Sequence, residues 1–219
     1  MVGGAYLKRQ KAKRRTLRIA LIAVFVALIT VGAFIKIPIG IVPVSMQCAC
    51  CILCALLLGP WDSLIAVGIY IFMGLIGIPI FTAGGGFGYV LQPTFGYIAG
   101  YLAALPIGGM IARGVRGDSP IRLTRLLFGA FAALAIVYTC GVMYMYLMLN
   151  FYVGTDMAIG KAWLTGCAVF LPTDAAWCVI GSLVARRVAP AIDRDRIAGR
   201  GNVRRFMYEE YARVAEQEE

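Results

Sequence analysis

The sequence lacks histidine altogether, and charged residues make up only 15% of its 219 residues. Without histidine, Ser-His-Asp triads, Cys-His dyads and metal sites built on imidazole are excluded. Few enzyme classes remain compatible with this composition, and we predict that the protein is not an enzyme. An intramembrane enzyme that pairs Asp174 with Asp156 is the alternative from that class, and it requires the two carboxylates to lie close together.

Long apolar runs dominate the chain, which is 61% hydrophobic and carries its charges at the two ends and in one internal loop. This distribution is typical of an integral membrane protein. Lipid cannot satisfy backbone hydrogen bonds, and uninterrupted apolar runs favour helices over the alternating pattern of barrel strands. We predict an all-α bundle of six membrane-spanning helices with a ligand pocket near the extracellular side. The predicted spans are residues 17–35, 44–59, 62–78, 94–112, 121–150 and 165–189.

The basic residues predict the orientation of the chain. If the basic segment 1–16 and the charged tail 190–219 are both cytoplasmic, only Lys36 and Lys161 of the 21 basic residues lie outside. The positive-inside rule strongly favours this arrangement. The basic residues flank apolar spans rather than stacking aromatics, so we expect anionic lipid headgroups, not nucleic acid, to face the net charge of +10. The prediction is a multi-pass protein of the cell membrane, with residues 17–189 as its transmembrane domain.

A cysteine cluster, Cys48, Cys50, Cys51 and Cys54, lies inside the second predicted span. One straight helix cannot direct four ligands toward a tetrahedral metal centre. Cysteine in an apolar helix behaves as a small hydrophobic residue. We therefore predict neither a metal site nor a cofactor.

A glycine-rich segment on the predicted outer side contains Gly84, Gly85 and Gly86. It is too rich in glycine for a helix and too apolar for an ordinary solvated loop. Three consecutive glycines allow a ligand to approach the main chain and expose amide N–H groups as donors. A flexible hairpin between spans is the alternative.

Asp174 is the only acidic residue placed within an apolar stretch of the sequence. Carboxylates inside membranes are costly and usually functional. The alternative is structural, because Pro172 could start a helix whose dipole stabilises an acid in its first turn. Trp177 shares a helical face with Asp174 and could pack against an apolar ring.

Small and polar residues elsewhere have weaker interpretations. A glutamine at a helix start, such as Gln47, is more often solvated or capping than ligand-binding. Gly96 and Gly100 are spaced for close helix packing, and so are Ala23 and Ala27 in the first span. For the alanine pair, the sequence alone favours internal packing over contact with a partner helix.

The spans contain no chain of ionisable residues that could couple uptake to protons or sodium. The segment 154–162 differs from a phosphate-binding loop in its spacing and ends in Ala162. A transporter of this kind would therefore take its energy from another subunit.

Several motifs keep their order over much of the chain and resemble the BioY family. They are IVPVSMQ (41–47), LLLGP (56–60), GLIGIPIF (74–81), GGG (84–86), PT (93–94), GY (96–97) and FLPTD (170–174). That family comprises the biotin-binding S components of energy-coupling factor (ECF) transporters. The resemblance implies high-affinity biotin uptake, a six-helix bundle, a transmembrane coupling subunit and paired cytoplasmic ATPases. It also implies that Ala23 and Ala27 face the coupling subunit.

The resemblance further implies the residues of the binding site. The ureido group of biotin offers two N–H donors, which suit Asp174, and a carbonyl, which suits Gln47 or a loop amide. The candidate ligand-binding residues are Gln47, Phe81, Gly84, Gly85, Gly86, Tyr97, Asp174, Trp177 and Lys161. Among them, the aromatic residues would enclose the bicyclic ring, and Lys161 is the weaker candidate, behind backbone amides, for the ligand carboxylate.

Three positions depart from the family pattern. Phe95 and Trp177 stand where the family often has a glycine and a lysine. Ala83 stands where some members have an asparagine. These changes keep another vitamin, or a biotin precursor such as desthiobiotin, open as the ligand. The central expectation is that Asp174 and the glycine segment meet across a small vestibule, whereas a purely structural subunit would have no cavity there.

Overall fold

The computed structural model describes residues 2–37, 42–115 and 119–215, and helices dominate these segments. The α-helices are α1 (Val2–Phe34), α2 (Gln47–Leu58), α3 (Pro60–Leu75), α4 (Phe95–Arg113), α5 (Leu123–Leu147), α6 (Ile159–Trp163) and α7 (Leu171–Ala215). A 3-10 helix covers Phe87–Leu91, and π-helical turns cover Met148–Val153 and Leu164–Ala168. Two short antiparallel strands, β1 (Lys36–Ile37) and β2 (Val44–Ser45), precede α2. The predicted helical class is confirmed.

Within the described residues, four helical segments are long and apolar enough to cross a membrane: Arg15–Phe34, Phe95–Arg113, Leu123–Val153 and Leu171–Asp193. The apolar helices α2 and α3 are shorter, with 12 and 16 residues. At 1.5 Å per residue α2 is about 18 Å long, less than the roughly 30 Å hydrocarbon layer. The predicted short second span therefore corresponds to a short helix, and the number of full crossings stays a prediction.

The turn between α2 and α3 consists of Gly59 alone, followed by Pro60 at the start of α3. Gly59 has a φ of 82°, which glycine adopts readily, and proline suits a first helical position because no hydrogen bond is lost there. Helix α4 passes close to this turn, since a Cβ on Gly109 would lie 2.9 Å from the Pro60 nitrogen. The sequence thus folds α2 and α3 into a tight pair beside α4.

Glycines bring α4 and α5 into close contact. A Cβ on Gly96 would lie 2.2 Å from the Cβ of Tyr144, and one on Gly100 would lie 3.0 Å from the Cβ of Cys140. The close packing predicted from the spacing of these two glycines is confirmed. It fixes the position of two helices that carry polar groups of the candidate site.

Ion pairs collect at one end of the bundle. Arg18 Nε lies 2.6 Å from Asp62 Oδ1, which joins α1 to the start of α3. Arg113 Nη2 donates to both carboxylate oxygens of Asp193, at 2.6 and 2.7 Å, and joins the end of α4 to α7. The Arg113 side chain is fully buried, so this pair lies inside the bundle. We call this the charged end.

Helix α1 packs on one face only. Ile22, Phe25 and Ile29 are buried, whereas Ala23 and Ala27 are exposed beside outward-facing apolar residues. The internal packing that the sequence alone favoured for the alanine pair is therefore wrong. The pair forms part of an apolar outer surface of α1.

Candidate ligand-binding cavity

A cavity lies at the end of the bundle opposite the charged end, between α2, α4, α5, the start of α7 and two loops. Its volume is ≈ 60 Å³, room for about four water molecules. Val42, Pro43, Ile98, Val137 and Phe170 form the apolar part of its wall. The polar residues of the wall are Ser45, Gln47, Cys48, Thr82, Thr94, Tyr97, Tyr101, Tyr138 and Asp174. The wall thus combines apolar and aromatic side chains with convergent polar groups, the features of a small-molecule site.

Asp174 presents its carboxylate to the cavity from the first turn of α7. Its backbone N–H donates to the Phe170 carbonyl at 2.9 Å, so the turn is already formed there. Tyr138 Oη donates to Asp174 Oδ2 at 2.7 Å, and Cys48 lines the same cavity. An ionised carboxylate has about four acceptor positions, so the bond from Tyr138 leaves capacity for a ligand. Asp174 therefore lies both in the first turn of a helix and in the cavity wall, and its role in binding stays a prediction.

Gln47 is buried, with 3% of its surface exposed. Its Nε2 donates to Tyr70 Oη at 3.2 Å, and Tyr70 Oη donates to the Ile80 carbonyl at 3.0 Å. Because Tyr70 gives its one proton to Ile80, its oxygen must accept from the glutamine amide. The expectation that Gln47 is solvated or capping is wrong. Among the described residues, no hydrogen bond engages its Oε1 or its second amide hydrogen.

The glycine segment is held by its own backbone. Phe81 and Gly84 exchange two hydrogen bonds, and the Gly86 N–H donates to the Gly74 carbonyl at 2.7 Å. The amides of Gly84 and Gly86 are therefore engaged, and the expectation that they are exposed donors is wrong. Glycine is needed here for shape, because Gly84 and Gly86 have φ of 116° and 102°. These bonds also argue against a flexible hairpin.

Thr82 is the residue through which this loop reaches the cavity. Its hydroxyl lies 2.9 Å from Tyr89 Oη, which lies 3.3 Å from the hydroxyl of Thr94. Lys36 Nζ donates to the Thr82 carbonyl and so ties the β1 segment to the same loop. Phe81 lies behind the wall, with its ring 4.6 Å from the Tyr89 ring. Loop and strands together close one side of the cavity.

Tyr97 contributes its ring to the wall, while its hydroxyl donates to the Gly166 carbonyl at 2.7 Å. Its ring meets that of Tyr138 edge to face, with centroids 6.5 Å apart. The ring is therefore fixed, and its hydroxyl is engaged outside the cavity. Gly166 belongs to a π-helical turn, an irregularity that is frequent at functional sites.

The structure brings together Gln47, Tyr97 and Asp174 of the predicted site. Trp177 is half-buried and Lys161 is exposed, and neither belongs to the wall formed by the described residues. Phe81, Gly84, Gly85 and Gly86 lie behind the wall or support it, and the binding roles of all nine predicted residues stay predictions. Asp156 is exposed and also lies outside that wall.

Sequence reasoning missed Tyr138, Cys48 and Thr82. Tyr138 places a hydroxyl group within the apolar fifth predicted span. A polar group in such a span is a signal that could have suggested a hydrogen-bond partner for Asp174. Cys48 is one of four clustered cysteines, of which Cys51 and Cys54 are buried in the core, and nothing in the sequence distinguishes it from them. Thr82 precedes three consecutive glycines, which are the more unusual feature of that segment, and nothing in the sequence marks the threonine as a wall residue.

Comparison with known proteins gives consistent results. Residues 8–194 match the BioY family. A probable biotin transporter BioY of Lysinibacillus sphaericus is 38% identical over 80% of this chain and 88% of its own length. The biotin transporter BioY of Thermotoga maritima is 34% identical over 75% of this chain and 91% of its own.

The fold also matches a solved structure. The crystal structure of the S-component for biotin from an ECF-type ABC transporter superposes with a TM-score of 0.70 and 22% identity. The match covers 80% of this chain and 92% of that one. At this identity the likeness concerns the fold alone.

Proposed function

Because the chain belongs to the BioY family, we propose that it captures biotin with high affinity and carries it across the cell membrane as the substrate-binding subunit of an ECF transporter. The observation that carries this proposal is the Asp174 carboxylate in the wall of a cavity that also has aromatic and aliphatic surfaces. A carboxylate accepts hydrogen bonds, and the ureido group of biotin supplies N–H donors. A transport subunit of this kind catalyses no reaction of its own.

The other polar groups suit the rest of the ureido ring. Gln47 is held by Tyr70 and keeps one amide hydrogen for the ureido carbonyl, while its Oε1 can accept an N–H. Tyr97, Val137 and Phe170 supply the aromatic and aliphatic surface that a bicyclic ring requires. Phe81 and the glycines at 84–86 support the loop that carries Thr82. Trp177 and Lys161 would contact the ligand only after movement of the outer segments.

The topology follows from the two ends of the bundle. We place the charged end, with Arg18 and Arg113, on the cytoplasmic side, and the cavity end, with Lys36, on the extracellular side. The chain then crosses the membrane six times, through α1, α2, α3, α4, α5 and α7, and both termini are cytoplasmic. Residues 17–189 form the transmembrane domain, and lipid headgroups surround its basic flanks.

Energy for uptake would come from partner subunits. The exposed faces of Ala23 and Ala27 on α1 offer a flat apolar surface that a transmembrane coupling subunit can approach closely. Cytoplasmic ATPases would act through that coupling subunit. In this proposal the protein binds no nucleic acid and needs no cofactor.

The test is ligand binding by the purified full-length protein. Labelled biotin should bind saturably, and unlabelled biotin should compete better than desthiobiotin or unrelated vitamins. Affinity purification from native membranes should also recover a coupling subunit and ATPases. Preference for a different vitamin, with no saturable biotin binding, would refute the assignment of the ligand.

A further inference from the structure

We propose that Tyr138 is a positioning residue that fixes the Asp174 carboxylate for its hydrogen bond with the ligand. The inference rests on the proposed biotin-binding function and extends it to a residue outside the predicted site. Tyr138 lies on α5 and Asp174 on α7, and both contribute to the wall of the same cavity. Their hydrogen bond therefore joins two helices at the point where a ligand would be recognised.

The direction of this bond is determined by chemistry. An ionised carboxylate can only accept, so the Tyr138 hydroxyl donates its proton to Asp174 Oδ2, at 2.7 Å. The two side chains are 5% and 7% exposed, so bulk water does not compete freely for either group. One carboxylate oxygen is thereby held in place, which sets the plane of the carboxylate and the direction of its remaining acceptor positions.

Tyr138 is suited to this role because its own ring is fixed. The ring packs at 88° to that of Tyr97, whose hydroxyl is bonded in turn to the Gly166 carbonyl. A carboxylate held by a fixed donor loses less conformational freedom when a ligand binds, and this gain in preorganisation appears as affinity. Without the hydroxyl, Asp174 would retain its charge but not its defined orientation.

A double-mutant cycle tests the inference on the full-length protein with labelled biotin. Tyr138→Phe keeps the ring and removes the hydroxyl, and biotin affinity should fall about tenfold. Asp174→Ala should reduce affinity more strongly. Adding Tyr138→Phe to Asp174→Ala should then change affinity less than about twofold, because the group that Tyr138 positions is gone.

Tyr144→Phe is the matched control. Tyr144 lies on the same helix, and its hydroxyl donates to the Val90 carbonyl rather than to a cavity residue. Its loss should leave biotin affinity unchanged, and thermal unfolding should show that each variant is folded. If Asp174→Ala fails to fold, Asp174→Asn replaces it in the cycle, where the effect of Tyr138→Phe should shrink to a few-fold at most.

The outcomes separate this inference from the proposed function. Equal effects of Tyr138→Phe with and without Asp174 would show that Tyr138 acts independently, and unchanged affinity in the single variant would show that it does not act at all. Either result overturns the inference while wild-type binding of biotin upholds the function. Absence of biotin binding by the wild type would overturn both.

Discussion

Thr82 and Asp174 both line one cavity although they belong to a loop and a helix far apart in the sequence. Thr82 is carried by the bonded loop that follows α3, and Asp174 by the first turn of α7. Within the described residues the glycines at 84–86 do not line the cavity, so the expected meeting of Asp174 with these glycines is not seen, and Thr82 beside them contributes to the wall instead. The ligand would lie between a hydroxyl and a carboxylate.

Replacing Asp174 by alanine should weaken biotin binding by about 10- to 150-fold. A hydrogen bond to a charged group contributes about 1.5–3 kcal/mol, and each 1.4 kcal/mol is about a tenfold change in affinity. Isothermal titration of the purified variant measures the change. Asp156→Asn is the control, because Asp156 is exposed, lies outside the wall and has a φ of 42° that asparagine tolerates. Comparable losses in both variants would contradict a specific role for Asp174.

Substituting Gly85 by alanine should distort the loop that carries Thr82. The new Cβ would lie 2.2 Å from the Ile78 carbonyl oxygen, a backbone atom that cannot turn away as a side chain can. We expect a destabilisation of about 1–3 kcal/mol, in the range found for overpacked sites, and weaker biotin binding. Gly88→Ala is the matched control, since a Cβ there meets nothing within 4 Å. Thermal unfolding in detergent, with and without biotin, distinguishes the two variants.

Removal of Asp193 should destabilise the protein far more than removal of Arg18. Asp193→Ala deprives the fully buried Arg113 of a carboxylate bonded at 2.6 and 2.7 Å, a change that costs about 3 kcal/mol in buried pairs. The Arg18 side chain is 51% exposed, so Arg18→Ala should cost less than about 1 kcal/mol. Equal shifts in denaturant midpoint for the two variants would contradict this order.

The double substitution of Ala23 and Ala27 by leucine should impair assembly with the coupling subunit but not ligand binding. Both alanines face outward from α1, so the larger side chains cause no clash within the chain. Biotin affinity of the isolated subunit should stay the same, whereas the amount of coupling subunit recovered with it should fall several-fold. Ala135→Leu, at an exposed position of α5, is the control and should preserve recovery. Loss of biotin binding in the double variant would instead indicate an internal role for the pair.

The sequence predicted the helices well because a membrane span is a local property. About 20 apolar residues mark a crossing wherever their neighbours lie, and the predicted spans 94–112 and 121–150 agree closely with α4 and with α5 plus its π-helical turn. Asp174 could be identified for the same reason, as an acid in an apolar run. The two-residue strands β1 and β2 have no comparable local signal.

The partners of the site residues could not be predicted locally. Gln47 can be buried because Tyr70, from the next helix, accepts its amide hydrogen. No residue near Gln47 in the sequence indicates this contact. Gly84 and Gly86 use their amides within the fold, because the loop closes on Phe81 and Gly74. In both cases a residue's role depends on atoms contributed by another segment.

The cavity volume of ≈ 60 Å³ has a kinetic consequence, because ordinary ligand pockets measure about 300–1,000 Å³. We therefore expect a bicyclic vitamin to require movement of the loops and of the helix N-termini around the cavity. Association should therefore occur in two steps, with an observed rate that levels off at high biotin concentration at the rate of opening. Release must pass through the same opening, so we expect biotin to leave slowly as well as to enter slowly.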